Sequence, residues 1–281
     1  MISTQELRNL VIKWGLRDDV VEKDYVLGWL LWGIGSDPDL SSHWVFKGGT
    51  SLKKCFIETL RFSEDLDFTI VPKGPLTPDE IEPLIKKTLE RIYEESGIDF
   101  SIKPPLFKFA DKYQYTEGRI YYQGPRNARQ AASIKLDING MEKIILPTVL
   151  RVISHPYSDK LPGPATVRCY AFEEIFAEKI RAMGERGRPR DLYDIIILFK
   201  RLDLQSAPQI IKNVLEKKCE SKGVSMPNLI TIQNATTKAE LVSEWENMLG
   251  HQLQVLPPFE DFWNELPDMF NWLAGNKHEL K

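Results

Sequence analysis

The feature that most restricts this chain is Val45-Phe46-Lys47-Gly48-Gly49-Thr50-Ser51-Leu52, followed after ten residues by Ser63-Glu64-Asp65-Leu66-Asp67-Phe68. The first part reads as a short strand running into a Gly-Gly turn and a helix start. Adjacent glycines let the backbone approach a ligand, because no Cβ stands in the way. Amides at such a helix N-terminus point at anions such as phosphate, and Thr50 or Ser51 can add a hydroxyl donor. The second part, residues 65–71, reads as a strand. Side chains at i and i+2 share a strand face, so Asp65 and Asp67 point one way while Leu66 and Phe68 face the core. Parallel carboxylates repel unless a cation sits between them, and hard oxygen ligands suit Mg²⁺ or Mn²⁺. Taken singly, Gly-Gly is a turn and Asp-x-Asp is a solvated strand edge. Together they make a phosphate cradle beside a metal pair, the equipment for phosphoryl or nucleotidyl transfer.

This order and gap resemble the nucleotidyltransferase (polymerase-β-like) superfamily, with its Gly-Gly/Ser turn and later Asp-x-Asp. The fuller string, Phe46 to Leu52 with Arg61-Phe62-Ser63-Glu64-Asp65-Leu66-Asp67-Phe68, resembles a narrower group, the AbiEii/AbiGii-type toxins of bacterial abortive-infection and toxin–antitoxin systems. On that resemblance Lys47, Gly48, Gly49, Thr50, Ser51 and Ser63 are the candidate nucleotide contacts. Asp65 and Asp67 are the candidate metal ligands.

At 281 residues the chain can hold one large or two modest domains. Hydrophobic residues make up 42% and charged residues 27%, the balance of an ordinary globular protein. No apolar run reaches the roughly 18 residues that span a bilayer, and no basic n-region opens the chain. The expected setting is cytoplasmic, without membrane. Cys55, Cys169 and Cys219 are scattered and odd in number, which suggests reduced thiols rather than disulfides or zinc. The net charge of −3 requires any nucleic-acid contact to come from a local patch.

In chain order, residues 4–17 read as a helix, and Asp18-Asp19 as the cap of a second helix to about Gly33 that is apolar nearly all round and therefore buried. Glu22-Lys23-Asp24 near its start reads as a polar first turn; Glu22-Lys23-Asp24-Tyr25 also resembles the leading helix of the AbiEii-type toxins. Thr77-Pro78-Asp79-Glu80 opens a helix that Gly97 ends. Strands are expected at 98–103, 106–110, 118–123, 131–138 and 143–146, with Asn139-Gly140 as a hairpin turn. On the strand through Asp137, Ile134, Leu136 and Ile138 share one face and Lys135 and Asp137 the other. That polar face reads as a solvent face. The superfamily often carries a third carboxylate on such a strand, which would make Asp137 a general base or third metal ligand.

Residues 147–164, rich in Pro and Gly, read as the join between lobes, with domains at 1–160 and 161–281. A strand at 166–170 leads into a helix whose apolar stripe is Phe172, Ile175, Phe176, Ile180 and Met183. Lys179 lies in the middle of that stripe, so it either snorkels out or faces a polar site. Arg186, Arg188 and Arg190 read as a basic loop before a helix of 190–202, in which Asp191 borders a stripe of Ile195, Leu198 and Leu202 and neighbours Asp194. The loop is either solvated or an RNA contact. The string from Ala177 to Met183, then Arg190-Asp191-Leu192-Tyr193-Asp194, again resembles the AbiEii-type group; there the lysine and a downstream Asp belong to the active site, and both Asp191 and Asp194 are candidates. The remainder reads as helices at 206–222, 237–250 and 259–274 with aromatic, core-packing faces.

The expected fold is therefore an α/β (α+β) nucleotidyltransferase-like mixed-sheet lobe followed by a mainly helical lobe, with the site between them. The resemblance implies a metal-dependent toxin that transfers a nucleotide from an NTP to an RNA such as a tRNA 3′ end. It also implies a cognate antitoxin, acting as a protein or through promoter-linked regulation. Transfer of a nucleotide to a protein or small molecule, and non-catalytic nucleotide binding, use the same motifs.

Overall fold

A computed structural model describes residues 1–58, 60–201, 207–235 and 238–275. It divides into two compact units, one of residues 1–144 and 148–170, the other of residues 145–147 and 171–281. Among the described residues no helix is long and apolar enough to cross a membrane.

The first unit begins with α1 (Thr4–Trp14), α2 (Asp18–Ser36) and α3 (Pro38–His43). Then come β1 (Trp44–Lys47), the short α4 (Gly48–Ser51), one π-helical turn (Leu52–Phe56), β2 (Asp65–Ile70) and α5 (Pro78–Ser96). The strands β3 (Leu106–Ala110), β4 (Tyr115–Tyr122), β5 (Ala132–Asn139), β6 (Val149–Val152) and β7 (Thr166–Cys169) complete it. Seven strands form one mixed sheet in the order β3-β4-β5-β2-β1-β7-β6. The pairs β2/β5 and β1/β7 are parallel; the other neighbours are antiparallel. The expected mixed-sheet lobe is present.

Alternation explains the sheet. Leu66, Phe68, Ile134, Leu136 and Ile138 are fully buried in one core with Trp29, Leu30, Ile85 and Ile92 of α2 and α5. Removing such side chains from water drives the layer together, at about 25 cal/mol per Å² of apolar surface. Helix α5 keeps its expected limits: Thr77 and Glu80 form a capping box, and Gly97 ends it at φ +73°. Helix α2 runs past the expected Gly33 to Ser36, and Arg17 holds its cap position, so Asp18 and Asp19 are first-turn residues rather than caps.

The polar start of α2 is not a solvated turn. Glu22 and Asp24 are buried. Glu22 accepts from the Arg126 amide at 2.7 Å, Lys23 pairs with Glu64 at 2.7 Å, and Asp24 pairs with the buried Lys54 at 2.6 Å. Tyr25 donates to Asp159 at 2.5 Å. Each residue of Glu22-Lys23-Asp24-Tyr25 thus ties the helix to a different distant segment. Burial of a charge is tolerable only with such partners, and loss of one partner costs about 3–5 kcal/mol.

Several expected strands differ. Residues 98–103 contribute only an isolated bridge, Asp99 to Gln123, because Pro104-Pro105 follow and cannot donate to a ladder. Residues 143–146 form no strand, and Asn139-Gly140 turns no hairpin. The Asn139 side chain instead accepts from the amides of Met141 and Glu142, at 2.9 and 3.0 Å. Strand β6 lies inside the stretch expected to be irregular, at the sheet edge, with Leu150 and Val152 exposed.

The second unit holds α6 (Phe172–Arg186), α7 (Pro189–Lys200), α8 (Pro208–Lys222), α9 (Leu229–Ala235), α10 (Lys238–Leu249), α11 (Phe259–Trp263) and α12 (Leu266–Leu273). The expected helix 259–274 is two helices, with Pro267 in the first turn of the second, where its missing N–H does no harm. Leu202 and the expected helix ends at 202, 206 and 237 lie outside the described residues. The aromatics do pack as core: Phe176 and Trp272 stack at 6.0 Å between centroids, as do Tyr193 and Phe262 at 5.1 Å. A buried lysine, Lys218, lies 2.7 Å from Glu174 and 2.9 Å from Glu178. Glu174 also accepts from the amides of Ile145 and Leu146, at 2.9 and 2.8 Å, which places that short strap in this unit.

The close approach of α2 to β7 yields a test. A Cβ added at Gly35 would overlap the carbonyl oxygen of Thr166, a backbone atom that cannot turn aside. Alanine is the better helix former by about 1 kcal/mol. Gly35→Ala is nevertheless expected to lower unfolding free energy by about 1–3 kcal/mol, the scale of overpacking. Urea denaturation checks it, and a stabilised variant would contradict the packing.

Candidate active site

Strand β1 delivers the chain into Gly48, which has φ +81°, a region open to glycine and costly for other residues. A Cβ there would also overlap Oδ2 of Asp67, so a side chain at 48 would fill the space beside the carboxylate. A Cβ at Gly49 would stand 3.0 Å from Nη2 of Arg61 and 3.1 Å from Oγ of Ser63. The turn is thus a backbone surface flanked by a carboxylate on one side and by a guanidinium and a hydroxyl on the other. The hydroxyls of the turn serve differently. Thr50 is buried and donates to the Asp65 carbonyl at 2.5 Å, pinning α4 to β2, and Ser51 is fully buried. Lys47 pairs with Glu142 and lies 5.7 Å from the Tyr170 ring centroid.

Register assembles the carboxylates. Across the sheet, Lys47 stands opposite Asp67, Asp67 beside Asp137, and Asp137 opposite Glu117. One row away, Asp65 is beside Lys135, and Lys135 is opposite Arg119. The parallel β2/β5 pair therefore brings Asp65, Asp67 and Asp137 onto one face, as the period of two requires. Burial, and then the Asp137 charge, push the Asp65 carboxyl above its ordinary range, against the opposing pull of Lys135. Asp137 accepts from the Tyr115 hydroxyl and pairs with Lys135 at 2.9 Å. Burial would lower the Lys135 ammonium, but the hydrogen bond and charge of Asp137 outweigh it and raise that pKa.

The residues fit a divalent cation. Asp65 and Asp67 are hard oxygen donors on one face, crowded by a third carboxylate whose repulsion a cation would relieve, with the Gly48 backbone held open beside them. Among the described residues no group of three or more His, Cys, Asp or Glu side chains is gathered around a metal position. Asp65 and Asp67 form a pair of carboxylates on one face, a donor set that would leave the remaining positions of a divalent ion to water and phosphate.

In the helical unit, Phe172, Ile175, Phe176, Ile180 and Met183 are buried as a stripe, and Lys179 with them. Lys179 does not run out to solvent; it pairs with Asp194 at 2.7 Å. Asp191 takes Arg186 through two bonds, at 2.8 and 2.9 Å. Asp191 and Asp194 are both 0% exposed. The arginines are not one loop: Arg186 ends α6, Arg190 lies in the first turn of α7, and of the three only Arg188 falls between the helices, where it is exposed.

Sequence reasoning did not single out Arg61, Tyr115, Glu117 or Lys135 as site residues. Lys135 was visible as sharing the face of Asp137. Tyr115 and Glu117 reach that face only through the β4/β5 register, which no local spacing announces.

A seven-stranded mixed sheet with a glycine turn set against an Asp-x-Asp strand is a nucleotidyltransferase type of fold. The chain superposes on MenT4, a nucleotidyltransferase toxin from Mycobacterium tuberculosis H37Rv, with a TM-score of 0.67, over 99% of this chain and 91% of that one, at 18% identity. The family model for the nucleotidyl transferase AbiEii toxin of type IV toxin–antitoxin systems matches residues 29–265, and the chain belongs to that family. No curated protein sequence matches it.

The Lys179–Asp194 pair changes what a lysine substitution reports. Lys179→Met alone removes the cation facing a buried carboxylate and is expected to cost about 3–5 kcal/mol. Adding Asp194→Leu replaces both charges by apolar groups and should recover most of that loss in thermal denaturation. Failure to recover would show that the two charges do not stabilise one another.

Proposed function

We propose that the protein transfers a nucleotide from an NTP to an RNA acceptor, with a tRNA 3′ end as the favoured target, in the cytoplasm. The family supplies the coarser statement: a nucleotidyltransferase toxin with a cognate antitoxin and an NTP substrate. The observation that supports the transfer chemistry is the Gly48 turn lying against the Asp67 carboxylate, with Asp65 on the same strand face, while the RNA acceptor rests on the resemblance to the toxin family. The amides of Gly48 and Gly49 would receive triphosphate oxygens, and Arg61 and Ser63 flank the same turn. Asp65 and Asp67 would hold Mg²⁺ or Mn²⁺, which when bound neutralises phosphate charge and orients the transferred group. Thr50 keeps the turn and the carboxylate strand in fixed relation. Asp191 and Asp194, buried against Arg186 and Lys179, are assigned to positioning those cations rather than to taking a proton. Lys179 is proposed to stabilise phosphate charge; the charge-free double variant described above should then be stable yet slower by on the order of a hundredfold.

The test is incubation with each labelled triphosphate and either total RNA or protein extract. Label is expected in RNA, and label confined to protein or small molecules would replace this acceptor by the other reading. Asp65→Ala or Asp67→Ala should abolish transfer while the fold is retained by circular dichroism. EDTA should stop the reaction and Mg²⁺ restore it; transfer that survives chelation rules out the metal pair.

An RNA acceptor needs local positive charge on a slightly acidic protein. Arg188 is the exposed arginine between the helices and is not committed to the Asp191 pair. Arg188→Ala is expected to weaken RNA binding and to reduce the slope of log affinity against log salt by about 1. An unchanged slope would move the RNA path to another surface.

A further inference from the structure

Asp137 is beside Asp67 in the parallel β2/β5 pair and opposite Glu117 in the antiparallel β4/β5 pair. Three carboxylates in adjacent strands on one face repel one another. The same strands supply the compensation. Lys135 is flanked by Asp65 and Arg119, and its ammonium lies 2.9 Å from Asp137 and 3.5 Å from Glu117. The Tyr115 hydroxyl donates to Asp137 from the other neighbouring strand. A carboxylate that already accepts a phenol and pairs with an ammonium has its charge largely compensated, and the ammonium beside it repels a further cation.

We propose that Asp137 and Tyr115 hold Lys135 as a fixed internal cation beside the Asp65/Asp67 pair, in the stead of a second metal ion, so that this chain binds one divalent ion rather than two. The inference rests on Asp65 and Asp67 being the metal pair. Asp137 is then a positioning residue: it acts through Lys135 and is neither the general base nor a third ligand. A strand lysine delivers its charge permanently and at one place, whereas a second ion would have to be recruited from solution.

The experiment titrates Mn²⁺ alone into the full chain, with bound ions counted from the electron paramagnetic resonance of free Mn²⁺ and affinity taken by calorimetry. One ion per chain is expected. Lys135→Met removes the competing charge and should bind a second ion and tighten the first by about tenfold, since a unit charge at this range moves binding by that order. Tyr115→Phe, which only loosens Asp137, should tighten binding a few-fold. Two ions on the unaltered protein, or Lys135→Met with unchanged count and affinity, overturns the inference and leaves the metal pair standing. No Mn²⁺ on the unaltered protein removes the pair itself and the inference with it. Should Lys135→Met fail to fold by circular dichroism, Lys135→Gln and Tyr115→Phe take its place, and unchanged affinity in both overturns the inference.

Discussion

The parallel pairing of β2 with β5 is the constraint on which the sheet unit depends. It sets Asp67 beside Asp137 and Asp65 beside Lys135, and by the same register it buries Leu66, Phe68, Leu136 and Ile138 on the opposite face. A slip by one residue would send every carboxylate into the core and every apolar side chain to the polar face. The register is therefore enforced by two terms of opposite kind. Apolar burial favours it from one side, and the cost of burying charge forbids its neighbours from the other. Parallel strands need a long crossover, and residues 71–131 provide it, with α5 to cover the apolar face and β3 and β4 to extend the sheet beyond β5.

Charge burial recurs elsewhere, in two cases with partners from distant segments. Asp24 meets Lys54, and Glu174 meets Lys218. Such pairs add little net stability over apolar groups of the same size, but they penalise any arrangement in which one partner is missing. The leading helix illustrates this. Its apolar bulk would bury in many rotations, whereas Glu22, Lys23, Asp24 and Tyr25 each find a partner in one.

Local patterns were legible in the sequence. Alternation along the strands of Asp65 and Asp137, the Thr77-Pro78-Asp79-Glu80 helix opening and the Gly97 stop are each written within a few residues, and the structure carries them. The glycine turn and the Asp-x-Asp strand were legible for the same reason. What pairs at long range was not. The Asn139-Gly140 turn satisfied a short-range hairpin rule, but β5 already had β2 and β4 as neighbours, so no third strand could join it. Tyr115, Glu117, Asp194 and Glu142 meet Asp137, Lys179 or Lys47 only through tertiary contacts. The lysine stripe position was read correctly as anomalous, but its partner was not nameable from the wheel of a single helix.

The strap of residues 145–147 has a consequence for how the polypeptide is made and divided. It is the one part of the helical unit that leaves the ribosome before the sheet unit is finished. Its amides at Ile145 and Leu146 are the donors that the buried Glu174 carboxylate uses, alongside Lys218. A gene fragment beginning at residue 171 would encode helices α6 to α12 and still lack the backbone that this carboxylate meets. The helical unit is continuous as a body and interrupted as a sequence, and no single cut in the gene separates it whole.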